Sequence, residues 1–213
     1  MKKLRVTPGA ALLPAAICVS GAWEFAALIA VAVLVHELGH YAALRLCGGE
    51  AGLVRVGFPG VTMEYGGLSY GGEAITAMAG PGASLALASA AALAGRMFGL
   101  DALYRLAGLS LIFAVFNLLP IYPLDGGRAL FCAVAYIFGL SAAENTRSAL
   151  SAALTAALLF AGALLTRASG NPTLLIAALW LASDALRRRA NSRRAQKDMY
   201  LHSPPRVIYL RVP

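Results

Sequence analysis

The apolar stretch at residues 25–46 limits most strongly what this chain can fold into, because it carries the pattern H-E-x-x-H at residues 36–40. About 20 consecutive apolar residues suffice for a helix that crosses a membrane. On such a helix His36 and His40 lie one turn apart on one face, where one metal ion can contact both rings. Glu37 lies one position further round and can act as a general base. Ionisable side chains are costly inside a membrane helix, which favours a functional site over a buried histidine pair.

The composition of the whole chain indicates a membrane protein. Hydrophobic residues make up 59% of its 213 residues and charged residues 13%, whereas soluble domains carry about 25% charged residues. We therefore predict an all-α polytopic membrane protein with about six transmembrane helices and a small membrane-associated β-hairpin. The expected spans are residues 9–22, 25–46, 73–98, 102–139 as one broken element, 142–167 and 172–186.

Residues 50–72 interrupt the apolar pattern. Polar and apolar residues alternate at 53–58 and at 61–65, and Pro59-Gly60 lies between the two runs, which predicts the hairpin. Non-helical backbone survives at membrane depth only where it is buried in protein or lines a wet cavity. The hairpin therefore either lines such a cavity or is a surface loop. In the first case we expect its strand 53–58 to offer an unpaired edge to an extended peptide.

A second polar motif, N-L-L-P-I-Y-P-L-D-G-G-R, lies at residues 117–128. Its two prolines and two glycines cannot continue a regular helix, so we predict an irregular turn between two helical halves. Asp125 follows this turn in an apolar chain and needs a partner. It either caps the second helix or is the third ligand of an ion held by His36 and His40. Two histidines and one carboxylate, with a fourth position open, are a usual ligand set of catalytic Zn²⁺.

Basic residues account for the net charge of +8 and cluster near both ends of the chain. Such clusters beside apolar segments favour the cytoplasmic side of the membrane and anionic lipid headgroups. We therefore expect both termini in the cytoplasm and residues 187–213 as a basic cytoplasmic tail. Nucleic-acid binding is not expected, because the second cluster directly follows an apolar segment. The first cluster contains Lys2, Lys3 and Arg5, and the second Arg187, Arg188, Arg189, Arg193, Arg194 and Lys197.

The two motifs together resemble the site-2 protease family of intramembrane zinc metalloproteases, over about residues 10–186. The second motif is most similar to the subgroup that contains the bacterial sporulation stage IV factor protease, which releases a membrane-tethered pro-sigma factor. By this resemblance His36, His40 and Asp125 correspond to the zinc ligands. Glu37 corresponds to the catalytic base, and Asn117 to a polar residue near the site.

The resemblance has further implications. It implies an intramembrane metalloprotease domain at residues 1–186, in the bacterial cytoplasmic membrane. The substrate would be a membrane-tethered or transmembrane protein, and an inhibitory membrane partner is possible in such a system. Gly80-Pro81 resembles the family's G-P element in the third core helix. Many members of the subgroup carry a C-terminal nucleotide-binding domain of paired CBS motifs. We expect none here, because about 27 residues follow the last expected span.

Two other classes of protein remain as alternatives. An ion or small-solute transporter would use the histidine, glutamate and aspartate side chains as an ion path. That interpretation explains the broken helix but not the metal-ligand spacing of the two histidines. A catalytically inactive scaffold is the third interpretation, and the intact His-Glu-His pattern with Asp125 argues against it.

Overall fold

The computed structural model describes residues 4–6, 23–57, 60–66 and 68–202. Its packing divides the chain into two compact units, Met1–Ala152 and Ala153–Pro213. In chain order the elements are β1 (Leu4–Val6), α1 (Trp23–Leu46), β2 (Glu50–Gly57), β3 (Gly60–Gly66), α2 (Tyr70–Phe98), α3 (Asp101–Asn117), α4 (Asp125–Phe138), α5 (Leu140–Ser169) and α6 (Thr173–His202).

The helices follow the apolar pattern of the sequence. Three of those described, α1, α2 and α5, are long and apolar enough to cross a membrane. Helices α3 and α4, of 17 and 14 residues, lie on either side of an irregular turn. The element at 102–139 is therefore broken at its second motif, as predicted. The expected span at 9–22 lies outside the described residues.

Small residues bring the first three helices close together. Gly39 of α1 faces α2 so closely that a Cβ atom there would lie 2.6 Å from the Ala79 carbonyl oxygen and 2.7 Å from the Ala83 Cβ. Such small-residue contacts allow membrane helices to approach closely. Because Gly39 lies between Glu37 and His40, this contact sets the distance of α2 from the H-E-x-x-H face. A small buried core joins the same helices through Ala32, Ala91, Leu106 and Ala107.

The strands form a three-stranded sheet in the order β1-β2-β3. Strand β2 pairs antiparallel with β3 and parallel with β1. Val54, for example, is aligned with Leu4 on one side and with Met63 on the other. The expectation that strand 53–58 offers an unpaired edge is therefore wrong. Its second partner comes from the N-terminal residues, which an alternating pattern at 53–65 cannot reveal. Residues 58 and 59, between β2 and β3, lie outside the described residues.

Helix α6 is longer than the sequence suggested. It runs through the basic residues to His202 as one helix of 30 residues. The expected boundary between residues 186 and 187 therefore falls inside a helix, and the first part of the basic segment is a helical extension. Asn171 accepts a hydrogen bond from the Thr173 amide at 3.0 Å just before α6 begins.

Candidate metal centre

Three side-chain atoms meet in the unit Met1–Ala152. His36 Nε2 lies 3.1 Å and His40 Nε2 3.2 Å from the same Asp125 Oδ2 atom, and the two Nε2 atoms are 3.1 Å apart. His36 is 3% and Asp125 8% exposed. In the described part of the chain, this is the one group of His, Cys, Asp or Glu side chains that could hold a metal ion. We call it the His-His-Asp triangle. The structure thus brings together the three residues that the sequence analysis selected as ligands.

The two histidines owe their places to one continuous helix. Their spacing of four residues in α1 puts the rings on one face, with centroids 4.8 Å apart and planes at 82°. The Phe113 ring of α3 packs edge-on against the His36 ring, with centroids 4.7 Å apart. Both histidines can therefore point Nε2 to the same place without a break in the helix.

Asp125 reaches the triangle from a different kind of segment. It is the first residue of α4, and Leu124 occupies the N-cap position. The carboxylate faces the histidines, and the alternative that Asp125 is the helix cap is not observed. Within the turn that precedes Asp125, the side chains of Ile121 and Leu124 are buried. The Tyr122 amide donates a hydrogen bond of 2.9 Å to Ser151 Oγ of α5.

Two glycines after Asp125 let α4 pack against this turn. A Cβ at Gly127 would lie 2.6 Å from the Ile121 carbonyl oxygen and 2.6 Å from the Tyr122 amide nitrogen. A Cβ at Gly126 would collide with the Leu118 carbonyl. A whole backbone segment has to shift to relieve such a contact, whereas the end of a side chain can rotate away. The D-G-G sequence is therefore a steric requirement for the position of Asp125.

Helix α2 contacts the Nδ1 atom of each imidazole ring, which is the nitrogen outside the His-His-Asp triangle. His36 Nδ1 lies 2.9 Å from Ser84 Oγ, and His40 Nδ1 donates to the Thr76 carbonyl oxygen at 2.7 Å. A Cβ at Gly80 would overlap the His40 ring. No role was predicted for Thr76 or Ser84 from the sequence. A signal was present, because residues 76, 80 and 84 are small or hydroxyl residues at intervals of four, on one helix face.

The chemistry of the three donors fits a zinc ion. A carbonyl only accepts hydrogen bonds, so His40 Nδ1 carries the proton and Nε2 of the neutral ring presents a lone pair. His40 Nε2 lies 3.2 Å from Asp125 Oδ2, so two hydrogen-bond acceptors are in contact. A cation bound to both would remove the repulsion between them. Zinc bonds of about 2.0–2.1 Å in tetrahedral geometry separate ligand atoms by about 3.3 Å. The observed separations of 3.1–3.2 Å are close to that value.

Three further charged side chains, one each from α1, α4 and α2, interact in series beside the triangle. Glu37 is partly buried and interacts electrostatically with the Arg128 guanidinium. Arg128 Nη2 in turn lies 3.7 Å from Glu73 Oε1. Arg128 is the last residue of the second motif, and no role was predicted for it from the sequence. The structure places its positive charge between the candidate base and a second carboxylate.

Asn117 is at the end of α3, and its side-chain amide donates to the Phe113 carbonyl oxygen at 2.9 Å. The described hydrogen bond of Asn117 is thus with its own helix, not with the triangle. Among the described residues, the other amide hydrogen and the amide oxygen of Asn117 have no hydrogen-bond partner. Its expected catalytic role stays a prediction.

Known proteins of similar sequence exist for this chain. The sequence matches the model of Peptidase family M50 over residues 99–161. Rip3, a candidate zinc metalloprotease of Mycobacterium tuberculosis found in strains Erdman and H37Rv, is 33% identical over 174 residues. The match covers 74% of this chain and 42% of Rip3, so the chain spans less than half the length of these relatives.

The fold also has a counterpart among solved structures. The Site-2 Protease from Methanocaldococcus jannaschii is similar with a TM-score of 0.67, over 86% of this chain and 89% of that one, at 22% identity. At this identity the likeness shows the fold. The chain is thus similar to Peptidase family M50 over residues 99–161 and to Rip3 over 174 residues, and it has the fold of the Site-2 Protease, with the His-His-Asp triangle inside that fold.

Proposed function

We propose that this chain is an intramembrane zinc metalloprotease that cleaves a membrane-tethered protein. The observation that carries the proposal is the His-His-Asp triangle, buried in a helical membrane fold, with Glu37 next to His36 in the sequence and in electrostatic interaction with His40 and Asp125. A proton relay in a transporter would need its ionisable groups spread along a path. Here three of them converge on one point, which favours hydrolysis at a metal over transport.

Different residues of the chain would have different roles in peptide hydrolysis. When bound, zinc would supply Lewis-acid polarisation of the peptide carbonyl and would make water more acidic. His36, His40 and Asp125 would hold the ion, and the Asp125 carboxylate would offset part of its charge. Glu37 would accept the proton of the attacking water and deliver it to the leaving amine. The free amide hydrogen of Asn117 would donate to the developing oxyanion.

The substrate must present an extended segment to this site. A transmembrane helix hides its carbonyl groups in internal hydrogen bonds, so it has to unwind before cleavage. Strand addition to a sheet edge would hold the unwound segment extended. Because β2 is central, the outer edge of β3 is the edge we propose for this step.

Proline substitutions in β3 test strand addition. Neighbouring residues of a strand point their amides to opposite edges, so of Thr62→Pro and Met63→Pro one removes an outward donor and one an inward donor. We expect the outward variant to lose cleavage of a transmembrane substrate while it keeps zinc, and the matching alanine variant to cleave normally. Normal cleavage by both proline variants would refute strand addition.

The membrane arrangement that we propose has six spans and both termini in the cytoplasm of a bacterium. Residues 1–186 would form the protease domain, and the basic residues from 187 onward would contact anionic lipids. The similarity of the second motif to the sporulation subgroup makes a membrane-tethered pro-sigma factor or other transcription factor the first substrate class to test. An inhibitory membrane partner would be the matching regulator.

The test of the proposed function uses the full chain purified in detergent. We expect about one zinc per chain, and cleavage of a tethered transcription factor by the wild type. Glu37→Gln should keep its zinc and lose cleavage, because the base is lost and the ligands are not. Zinc-independent cleavage, or unchanged cleavage by Glu37→Gln, would contradict the proposal. Zinc binding without any proteolysis would favour the inactive scaffold.

A further inference from the structure

We propose that Ser84 is a positioning residue of the metal centre, whose hydroxyl accepts the Nδ1 hydrogen of His36 when Nε2 of that ring faces the ion. The inference rests on the proposed metal site, and neither the motifs nor the comparisons assign a role to Ser84. Its basis is the contact of 2.9 Å between Ser84 Oγ and His36 Nδ1. Both residues are almost completely buried, at 0% and 3% exposure, so water does not replace this contact.

The two histidines are held by chemically different partners. The Thr76 carbonyl can only accept, so His40 has one neutral tautomer, with the proton on Nδ1. A serine hydroxyl can donate or accept, so His36 can hold its proton on either nitrogen. The structure therefore has one ring with a set tautomer and one ring whose tautomer can change.

Because of this difference, the heavy atoms around His36 can keep the same positions with and without a bound ion. Without an ion, Ser84 donates to His36 Nδ1, and the His36 Nε2 hydrogen lies between acceptors on His40 and Asp125. With an ion, His36 Nε2 presents its lone pair, and the proton on Nδ1 is donated to Ser84 Oγ. The hydroxyl reverses its role in the hydrogen bond, and no heavy atom has to move.

Alanine at position 84 would remove the acceptor that the second arrangement needs. The Nδ1 hydrogen of metal-bound His36 would then be buried without a partner, which opposes binding of the ion. Partners of metal-bound histidines typically contribute about 10–100-fold to metal affinity or activity. The loss should appear in zinc affinity, because the ligand atoms themselves are unchanged.

Ser110 of α3 is a matched control. It is as deeply buried as Ser84, at 0% exposure, and its hydroxyl has no hydrogen-bond partner among the described residues. Ser110→Ala thus makes the same chemical change at the same burial. A loss of zinc affinity that follows only Ser84→Ala reports the hydrogen bond to His36 and not the removal of a buried hydroxyl.

The experiment measures zinc dissociation constants by competition with a chromogenic chelator, on the full chain in detergent. We expect Ser84→Ala to raise the constant by about 10–100-fold, and Ser110→Ala to change it by less than about threefold. Ser84→Thr keeps the hydroxyl and should restore most of the affinity. Equal constants for Ser84→Ala and wild type, or equal losses in the Ser84 and Ser110 variants, would overturn the proposal.

A spectroscopic measurement separates this proposal from the proteolytic one. The chain has three histidines, so ¹⁵N-histidine spectra are simple. The zinc-loaded wild type should show a slowly exchanging Nδ1 hydrogen on His36, and Ser84→Ala should show it shifted or lost. This outcome supports the role of Ser84 even if no substrate is cleaved. Absence of zinc binding would end both proposals, and cleavage with zinc affinity independent of Ser84 would end only this one.

Discussion

The metal centre has two halves of different construction. His36 and His40 lie in the middle of a continuous helix, where the helical repeat alone sets their spacing. Asp125 lies at the start of a helix, after a turn of seven residues between α3 and α4. The first half depends on how closely α2 approaches, and the second on contacts that hold the turn. The two halves should therefore fail in different ways.

The largest effect should follow removal of the carboxylate. Asp125→Ala leaves two histidines, which hold zinc poorly, so we expect zinc affinity to fall by more than about 100-fold, beyond the usual loss of a ligand's partner. Cleavage should fall with it. Asp125→Asn should disturb the fold less but still impair catalysis. Zinc analysis and a cleavage assay measure both, and full zinc content with full activity in Asp125→Ala would remove it from the ligand set.

Gly80→Ala tests the histidine half. The added Cβ overlaps the His40 ring, so the ring or α2 must shift, at a cost of about 1–3 kcal/mol in the free energy of unfolding. Both stability and zinc affinity should fall. Gly82→Ala is the control, because it lies in the same helix with nothing within 4 Å of its Cβ. That variant should be neutral or more stable by up to about 1 kcal/mol, as thermal unfolding in detergent would show.

Gly127→Ala tests the carboxylate half. Its Cβ would press on the Ile121 and Tyr122 backbone, so the turn should move and carry Asp125 away from the histidines. We expect a loss of zinc affinity of about 10-fold, like that of a disturbed ligand partner, with less loss of thermal stability than in Gly80→Ala. If Gly127→Ala unfolds the protein while Gly80→Ala does not, the contrast between the two halves is the reverse of the one we infer.

The smallest effect should come from the contact between the turn and α5. Ser151→Ala removes the acceptor of the Tyr122 amide hydrogen bond, which is worth about 0.5–1.5 kcal/mol. We expect a small drop in thermal stability and a zinc affinity within about threefold of wild type. Ser89→Ala is the control, because it removes an exposed hydrogen bond between two residues of α2, from Ser89 Oγ to the Leu85 carbonyl oxygen. It should leave zinc affinity unchanged. A large loss of zinc in Ser151→Ala would show that this one bond holds Asp125 in place.

Much of the metal centre could be predicted because its pattern is local. His36 and His40 are four residues apart, so helix geometry alone brings their rings together. Asp125 was recognised as a carboxylate without a local partner, after a segment that cannot be helical. The broken element at 102–139 followed from its prolines and glycines in the same way.

Other features could not be predicted, because they depend on residues far apart in the chain. The place of β2 in the middle of the sheet depends on Leu4–Val6, about 50 positions before it. The extension of α6 to His202 was missed because the prediction treated hydropathy as the limit of the helix, whereas a charged sequence can continue a helix beyond an apolar segment.

The sequence by itself determined which side chains can hold zinc, since the spacing of His36 and His40 and the chemistry of Asp125 are properties of short segments. Only the tertiary structure decided how the rings are oriented. His36 meets Ser84 across 48 positions and His40 meets Thr76 across 36. These contacts exist because Gly39 and Gly80 let α1 and α2 approach closely, and a hydrogen bond forms only when the packing of two helices brings donor and acceptor within about 3 Å.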